Sequence, residues 1–492
     1  MSQSHQLQRR LGLFDASMLV AGSMIGSGIF IALSLMAQWV EAPGILIGLW
    51  ILAGLFTMLG AISFSELAGM FPHTGGQYVF LREAYGDFAA FLFGWTQFVV
   101  IQTGLNAAVA IAFAKYLGAL LPIFGEANVL ARLSWGELLP VAAQSHLPDF
   151  LLRIEVNSAQ LVACAVLAVL TGVNIRGVRE GALVQNLFTI LKIAAVAALI
   201  VVGLARSGSA SHFSPLVDFT PGKAALEVGF LAGVAVAMSK ALFTYDGWST
   251  VTFVAGEVHD AHRTLPRALV LGCLMVTALY VLANITYLAV LPIQEIAAAR
   301  ENRVAESVAI VLFGRIGATL VTVAILISTF GAVNGLILGG ARVFYAMARD
   351  GLFFRGCATL HARGTPRTAL LYQGVWSMVL VLSGSYSELL TYTTFASVLF
   401  GGLTVAAVYR LRISQPDRPR PYRCWGYPLT PALYLAICLL FLIYVIQGDL
   451  QATMIGATLV LTGIPFYLVW RARRSSRPAD RELPARRPGQ HR

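Results

Sequence analysis

The chain has 492 residues, 57% of them hydrophobic and only 12% charged, with a formal net charge of +11 at pH 7. A soluble domain carries roughly 25% charged residues, and with a mean hydropathy of +0.73 the chain reads as an integral membrane protein instead. The excess of basic residues does not make a nucleic-acid binder, because it is dispersed over short joints between apolar runs.

Runs of about 20 apolar residues recur along the chain, the length of a bilayer-spanning helix; a barrel would show alternating segments of about 10 residues. Twelve spans are predicted, over 13–38, 43–70, 88–118, 158–174, 183–204, 226–256, 266–291, 316–347, 368–384, 388–411, 428–447 and 452–471. The first is too long for a signal-peptide core, and no A-x-A-like cleavage site follows it. Placing the N-terminus inside puts eight basic residues outside: Lys115, Arg132, Arg153, Arg206, Lys223, Arg300, Arg303 and Arg315. Apart from Lys192 and Lys240, which fall within spans, all the others then lie inside. The positive-inside rule therefore predicts two cytoplasmic termini in the cell membrane. The tail 472–492 is rich in Arg and Pro, and is expected to be disordered and able to touch anionic lipid.

Span 1 is interrupted where a membrane helix is most regular, by Gly22-Ser23-Met24-Ile25-Gly26-Ser27-Gly28. Glycine costs a helix roughly 1 kcal/mol relative to alanine, and backbone groups freed in lipid cost several kcal/mol each. Such a break survives where it faces a ligand or a water-filled cavity. Gly22 and Gly26, four apart, equally suit a close-packing face. After span 2, Phe71-Pro72-His73-Thr74-Gly75-Gly76 makes a turn, and Tyr78–Tyr85 suits a short amphipathic helix on the inner face. Gln102 and Asn106 in span 3, and Asn334 in span 8, read as interhelical hydrogen-bonding groups. Lys192 lies deep in span 5, with about ten apolar residues on either side, against snorkelling and in favour of a functional role. Lys240 on the first half of span 6 lines an outer vestibule or pairs with an acid.

A second break, Phe243-Thr244-Tyr245-Asp246-Gly247-Trp248-Ser249-Thr250, falls five spans after the first. Interrupted helices in corresponding positions of two halves point to a transporter's substrate site. The predicted organisation is a cytoplasmic N-terminus (1–12), a first five-helix repeat (13–204), a second, inverted one (226–411), two appended helices (428–471) and the tail (472–492). Asp246 either pairs with a substrate ammonium or caps the inner half-helix, and the cap is favoured. The loop 257–267 ends in a helix start, with Thr264 or a preceding residue as cap and Pro266 in the first turn. Gly351 is expected to cap span 8. Cys164, Cys273, Cys357, Cys424 and Cys438 show no metal spacing, and none lies in the loop 119–157, so no disulfide-linked partner subunit is expected there. No phosphate loop, His/Glu metal cluster or nucleophile elbow is present, so neither a metal nor a cofactor is expected and an enzyme is the weaker reading.

The segments GSMIGSGIF (22–30), FPHTGGQYVFLREAYG (71–86), LFTYDGW (242–248), GEVHDAHRTLPRAL (256–269) and STFGAVNGLILGGARVFYAMARDG (328–351) resemble, in order, the signatures of the amino acid–polyamine–organocation superfamily. Within it the chain is most similar to the L-type amino acid transporter family and to bacterial serine/threonine and alanine/serine/cysteine exchangers, over about 11–411. The resemblance implies an all-α, twelve-helix fold of the LeuT type, five-plus-five inverted repeats with helices 1 and 6 discontinuous. It places a substrate carboxylate at the amides of Ser27, Gly28 and Ile29, with the Ser27 hydroxyl assisting. The positive end of a helix suits that role. Ser23, Met24 and Ile25, just before Gly26, would offer carbonyls to the substrate ammonium, as would Phe243 and Thr244, with Tyr245 and Trp248 as pocket walls or gate. Lys192 falls where sodium-coupled relatives bind a cation, and would bond helix 1 carbonyls and a helix 8 hydroxyl, Ser328 or Thr329. The expected function is sodium-independent transport, by exchange, of small neutral L-amino acids. Proton symport and a nutrient receptor on the same scaffold are the alternatives.

Overall fold

The computed structural model describes residues 9, 11–134, 153–176, 178–206, 210–219, 225–226, 229–361, 364–383, 386–448 and 450–475. Most of the loop 119–157 and the tail beyond 475 therefore lie outside the described residues. Within them the fold is helical apart from one antiparallel strand pair, β1 (Val129–Ser134) and β2 (Arg153–Asn157). The all-helical class read from the sequence is the one found. Ten helices are long and apolar enough to cross a membrane, and two shorter apolar helices, Phe230–Tyr245 and Arg367–Leu382, stand at the predicted sixth and ninth spans.

The first span is two helices, α1 (Leu13–Met24) and α2 (Gly28–Ala37), and from Leu19 to Ala37 it is buried at the centre of the bundle. Ile25 leaves the helix with ψ of 81°, and the Gly26 N–H turns back to the Met24 carbonyl at 2.8 Å. Around this core stand α3 (Pro43–Met70), the short α4 (Gln77–Tyr85), and α5 (Asp87–Leu120), which contains a π-helical turn at Gln97–Ile101. Next come α6 (Ser158–Arg176) and α7 (Val178–Arg206). The sixth span is α8 (Phe230–Tyr245) and the single turn α9 (Thr250–Phe253), again with a break between them. The chain continues through α10 (Ala261–Val290), α11 (Val304–Arg349), α12 (Arg367–Ser383), α13 (Tyr386–Ser414), α14 (Leu429–Gly448), α15 (Leu450–Leu461) and α16 (Gly463–Ser475). Exposed Leu, Ile and Val side chains such as Ile316, Leu320, Val201 and Leu439 cover the outward faces, as a lipid environment requires.

Three boundaries differ from the sequence reading. Helix α11 begins at Val304 rather than 316 and passes a kink at Gly314, φ 68°; Arg315 looked like the end of a loop, but its exposed side chain points away from a continuing helix. Helix α10 begins at Ala261 behind Asp260, so Pro266 lies in the second turn rather than the first. The last span divides between α15 and α16, because Pro465 has no N–H to donate and disfavours helical geometry before it. The amphipathic helix expected at Tyr78–Tyr85 is present as α4. At Gly351 the backbone turns left-handed (φ 74°), and the Leu352 N–H closes on Met347 O at 2.9 Å, ending α11 as expected.

Candidate functional site

The two helix breaks lie against each other. A Cβ placed on Gly28 would overlap the Thr244 side chain. Gly247 has φ 93°, and a Cβ there would stand 2.9 Å from the Ser23 carbonyl oxygen. Glycine is required at both, once for close approach and once for the backbone angle as well. Gly28 and Ile29 are in the first turn of α2, where amides have no intrahelical acceptor and the helix end is partly positive. Opposite stand the last carbonyls of α8, where acceptors are left over. The pair of breaks thus presents donors and acceptors a few ångströms apart in a buried place. Gly22 serves packing instead: a Cβ there would collide with Gln185 and Thr189 of α7. Gly22 thus packs against α7, whereas Gly28 and Gly247 meet the opposite break.

Lys192 reaches the first break. Its Nζ donates to Gly22 O at 2.6 Å and to Ile25 O at 2.7 Å, and the side chain is 1% exposed. The helix 1 carbonyls are its partners, as the resemblance implied. The helix 8 hydroxyls differ from expectation. Ser328 Oγ donates to the same Ile25 carbonyl at 3.5 Å, whereas Thr329 Oγ1 bonds Ile325 O and Leu326 O of its own helix. A hydroxyl in a helix has those carbonyls within reach, so Thr329 has no need of Lys192.

Tyr280 on α10 is a site residue that the sequence reading missed. Its hydroxyl lies 2.7 Å from Met24 O and 3.2 Å from Thr244 O, so one buried group bridges both breaks. Its ring stands edge-on to those of Trp50 and Tyr245, at 5.7 and 5.0 Å between centroids. The available signal was the series Thr277, Tyr280, Asn284 and Tyr287, which puts a polar group at every turn of an apolar span.

Asp246 is not the cap of the inner half-helix. Helix α9 starts four residues later, at Thr250, behind Ser249. The Asp246 carboxylate accepts from the Gly247 N–H at 2.6 Å and from the Ser397 hydroxyl of α13 at 2.6 Å. It lines a cavity shared with Phe64, Gln97, Gln102, Trp248 and Phe400. Tyr245 also lines it, while its hydroxyl donates to Trp50 O at 3.1 Å. Trp248 packs edge-on to Phe64 at 4.7 Å. Of the predicted residues, Tyr245, Asp246 and Trp248 line the cavity, whereas Phe243, Thr244 and Ser23 to Ile29 do not. Ser23 Oγ is buried without a hydrogen-bond partner, and Phe243 O accepts from the Asp246 N–H at 3.0 Å.

The other intramembrane polar residues bond between helices. Gln102 donates to Leu336 O at 3.0 Å, Asn106 to Ser377 at 3.4 Å, and Asn334 accepts from Asn174 at 2.8 Å. Lys240 is buried on α8. On the loop between α3 and α4, His73 has its pKa lowered from 6.5 by partial burial and by the nearby Arg418. Among the described residues no group of three or more His, Cys, Asp or Glu side chains is placed to hold a metal ion.

Comparison with known proteins adds the following. The family described as Amino acid permease matches residues 11–470. The large neutral amino acids transporter small subunit 2 of Oryctolagus cuniculus is 31% identical over 466 residues, covering 94% of this chain and 80% of the relative. The protein of that name from Homo sapiens is 30% identical, with the same coverage. The b(0,+)-type amino acid transporter 1 of Mus musculus is 29% identical over 492 residues, covering 97% of this chain and 92% of the relative.

Proposed function

Since this chain belongs to the amino acid permease family, and so is a multi-pass membrane transporter of amino acids and not an enzyme, we propose that it exchanges neutral L-amino acids across the cell membrane, without sodium, by alternating access. The observation that carries this reading is the contact between the two breaks. The first turn of α2 offers amides to a carboxylate, and the end of α8 offers carbonyls to an ammonium. Ser27, Gly28 and Ile29 take the carboxylate. The carbonyls of Ser23, Met24, Ile25, Phe243 and Thr244 surround the ammonium, and Tyr280 yields its place at Met24 and Thr244 when substrate arrives. Lys192 supplies a tethered cation at the helix 1 carbonyls, which supports independence from sodium. Residues 13–204 and 226–411 act as the two inverted repeats, with both termini in the cytoplasm.

Ser23 and Ser27 alone suggested a small side chain. The aromatic walls of the cavity beside the second break, Phe64, Trp248 and Phe400, favour a wider range that includes larger neutral side chains. A second reading, cationic substrates, is favoured by one observation: the Asp246 carboxylate on the cavity wall. The relative named as a small subunit sets a second subunit against the expectation of no linked partner. Four of the five cysteines of this chain are buried and Cys164 is half-buried, and electrophoresis with and without reductant checks whether a partner is joined through any of them.

Counterflow of the twenty amino acids into proteoliposomes, with and without sodium and a pH gradient, tests the whole reading. Exchange of neutral amino acids unaffected by sodium is the expected result. Sodium-dependent uptake overturns the role of Lys192, pH-driven uptake favours symport, and binding without flux makes the protein a receptor.

A further inference from the structure

The inner halves of the two broken helices are fastened together and to a neighbouring helix through one residue. The Leu11 N–H donates to Glu257 O at 3.0 Å and the His259 N–H to Leu11 O at 2.9 Å, a parallel bridge between the chain before α1 and the chain after α9. Residues 11–24 and 250–259 therefore form one unit, bounded by the breaks at 25–27 and 246–249. The Glu257 carboxylate leaves this unit and meets Arg342 of α11, Oε1 to Nε, at 3.0 Å, with side chains 3% and 1% exposed. Arg342 also bonds Leu338 O of its own helix, and its Nη2 is buried without a hydrogen-bond partner among the described residues. The unit is also tied by the Gly75 N–H to Phe253 O at 3.0 Å, by Asn186 Nδ2 to the Asp15 carboxylate at 2.7 Å, and next to the first break by Lys192 at Gly22 O and Tyr280 at Met24 O.

We propose that Glu257 is the catch of a cytoplasmic gate: its carbonyl holds the N-terminal strand to the inner half of the sixth span, and its carboxylate locks that unit to Arg342 while the inner side is closed. A buried ion pair suits a catch because its two states are discrete. Closed, each charge is compensated by the other; open, each is hydrated, and the desolvation that opposed closure is recovered. An intermediate separation, with both charges dry and apart, is the least favourable arrangement, so the gate is bistable. The Nη2 nitrogen without a partner weakens the closed state, keeping the lock releasable. The hinges are the breaks themselves, where backbone hydrogen bonding is already interrupted. This proposal rests on the alternating-access reading.

The test uses a membrane-impermeant maleimide applied to either side of the full-length protein in oriented vesicles, with a reporter Thr252→Cys on the inner unit or Leu35→Cys on α2. Both native side chains are buried. Glu257→Gln is expected to raise labelling of the inner reporter from the cytoplasmic side at least fivefold and leave the outer reporter within twofold. The exchange of charges, Glu257→Arg with Arg342→Glu, is expected to return both to within twofold of the parent. Should Glu257→Gln fail to fold, Leu11→Pro removes the N–H that binds Glu257 O without stranding a charge, and a two- to threefold rise on the inner side is expected. A rise at both reporters shows general loosening and overturns the gate, as does unchanged labelling. Counterflow of the parent is measured first. Its absence sinks the transport reading and the gate together, whereas intact counterflow with unchanged labelling removes the gate alone.

Discussion

Lys192 and Tyr280 do related work from opposite sides of the first break: each satisfies carbonyls that the interrupted helix leaves over. Losing a buried partner leaves an acceptor unsatisfied, at about 1–3 kcal/mol. Lys192→Ala strands the Gly22 carbonyl and leaves Ile25 O only the 3.5 Å bond from Ser328, so transport is expected to fall at least tenfold, read as the initial rate of counterflow. Unaltered counterflow in that variant would remove the lysine from the mechanism. Tyr280→Phe keeps the ring packing on Trp50 and Tyr245 and deletes only the hydroxyl. Its expected effect is a change in substrate affinity of about tenfold, the equivalent of roughly 1.4 kcal/mol, with little change in thermal stability. Asp246→Asn separates the two substrate readings. Neutral exchange is expected to persist, because the carboxylate is held by Gly247 and Ser397 rather than at the break carbonyls. Lys192 was legible in the sequence because an intramembrane charge is conspicuous. Tyr280 was not, since a tyrosine in an apolar span is unremarkable until its hydroxyl is seen between two carbonyls that lie far apart in the chain.

At the scale of the elements, the breaks are fixed by glycines that meet the opposite break. Gly247→Ala forces a side chain into a left-handed backbone conformation and toward the Ser23 carbonyl. The conformation alone costs roughly 1–2 kcal/mol, and the contact adds to it. Lower expression and at least a tenfold loss of counterflow are expected, measured against Gly172→Ala, where a Cβ meets nothing within 4 Å. The loop between α3 and α4 gives a pH-dependent prediction. The pKa of His73 is lowered in the folded protein, so below about 6.5 the unfolded chain binds more protons and stability falls as pH falls. His73→Gln is expected to flatten the acid limb of a plot of melting temperature against pH, by an amount limited by the exposure of the ring. Element boundaries were legible where composition changes sharply, as at α3 and α4. They were obscured where a charge or a proline sits inside a continuing helix, as Arg315 and Pro266 do.

For the whole molecule, the alternation of apolar runs with short polar joints determined a helical membrane protein before any coordinate was seen, because lipid leaves the backbone no other partner. The two glycine-rich interruptions were equally visible, since a broken helix in that setting demands a reason. Only the tertiary structure decided which groups meet there. It put Gly28 on Thr244 and Gly247 on Ser23, gave the Ile25 carbonyl to Lys192 and Ser328 but not to Thr329, brought Tyr280 across both breaks, and turned Asp246 from a helix cap into a cavity wall. Hydrophobicity is a property of each residue and survives in the sequence. A hydrogen bond depends on the relative position of two helices, which residues far apart along the chain set together.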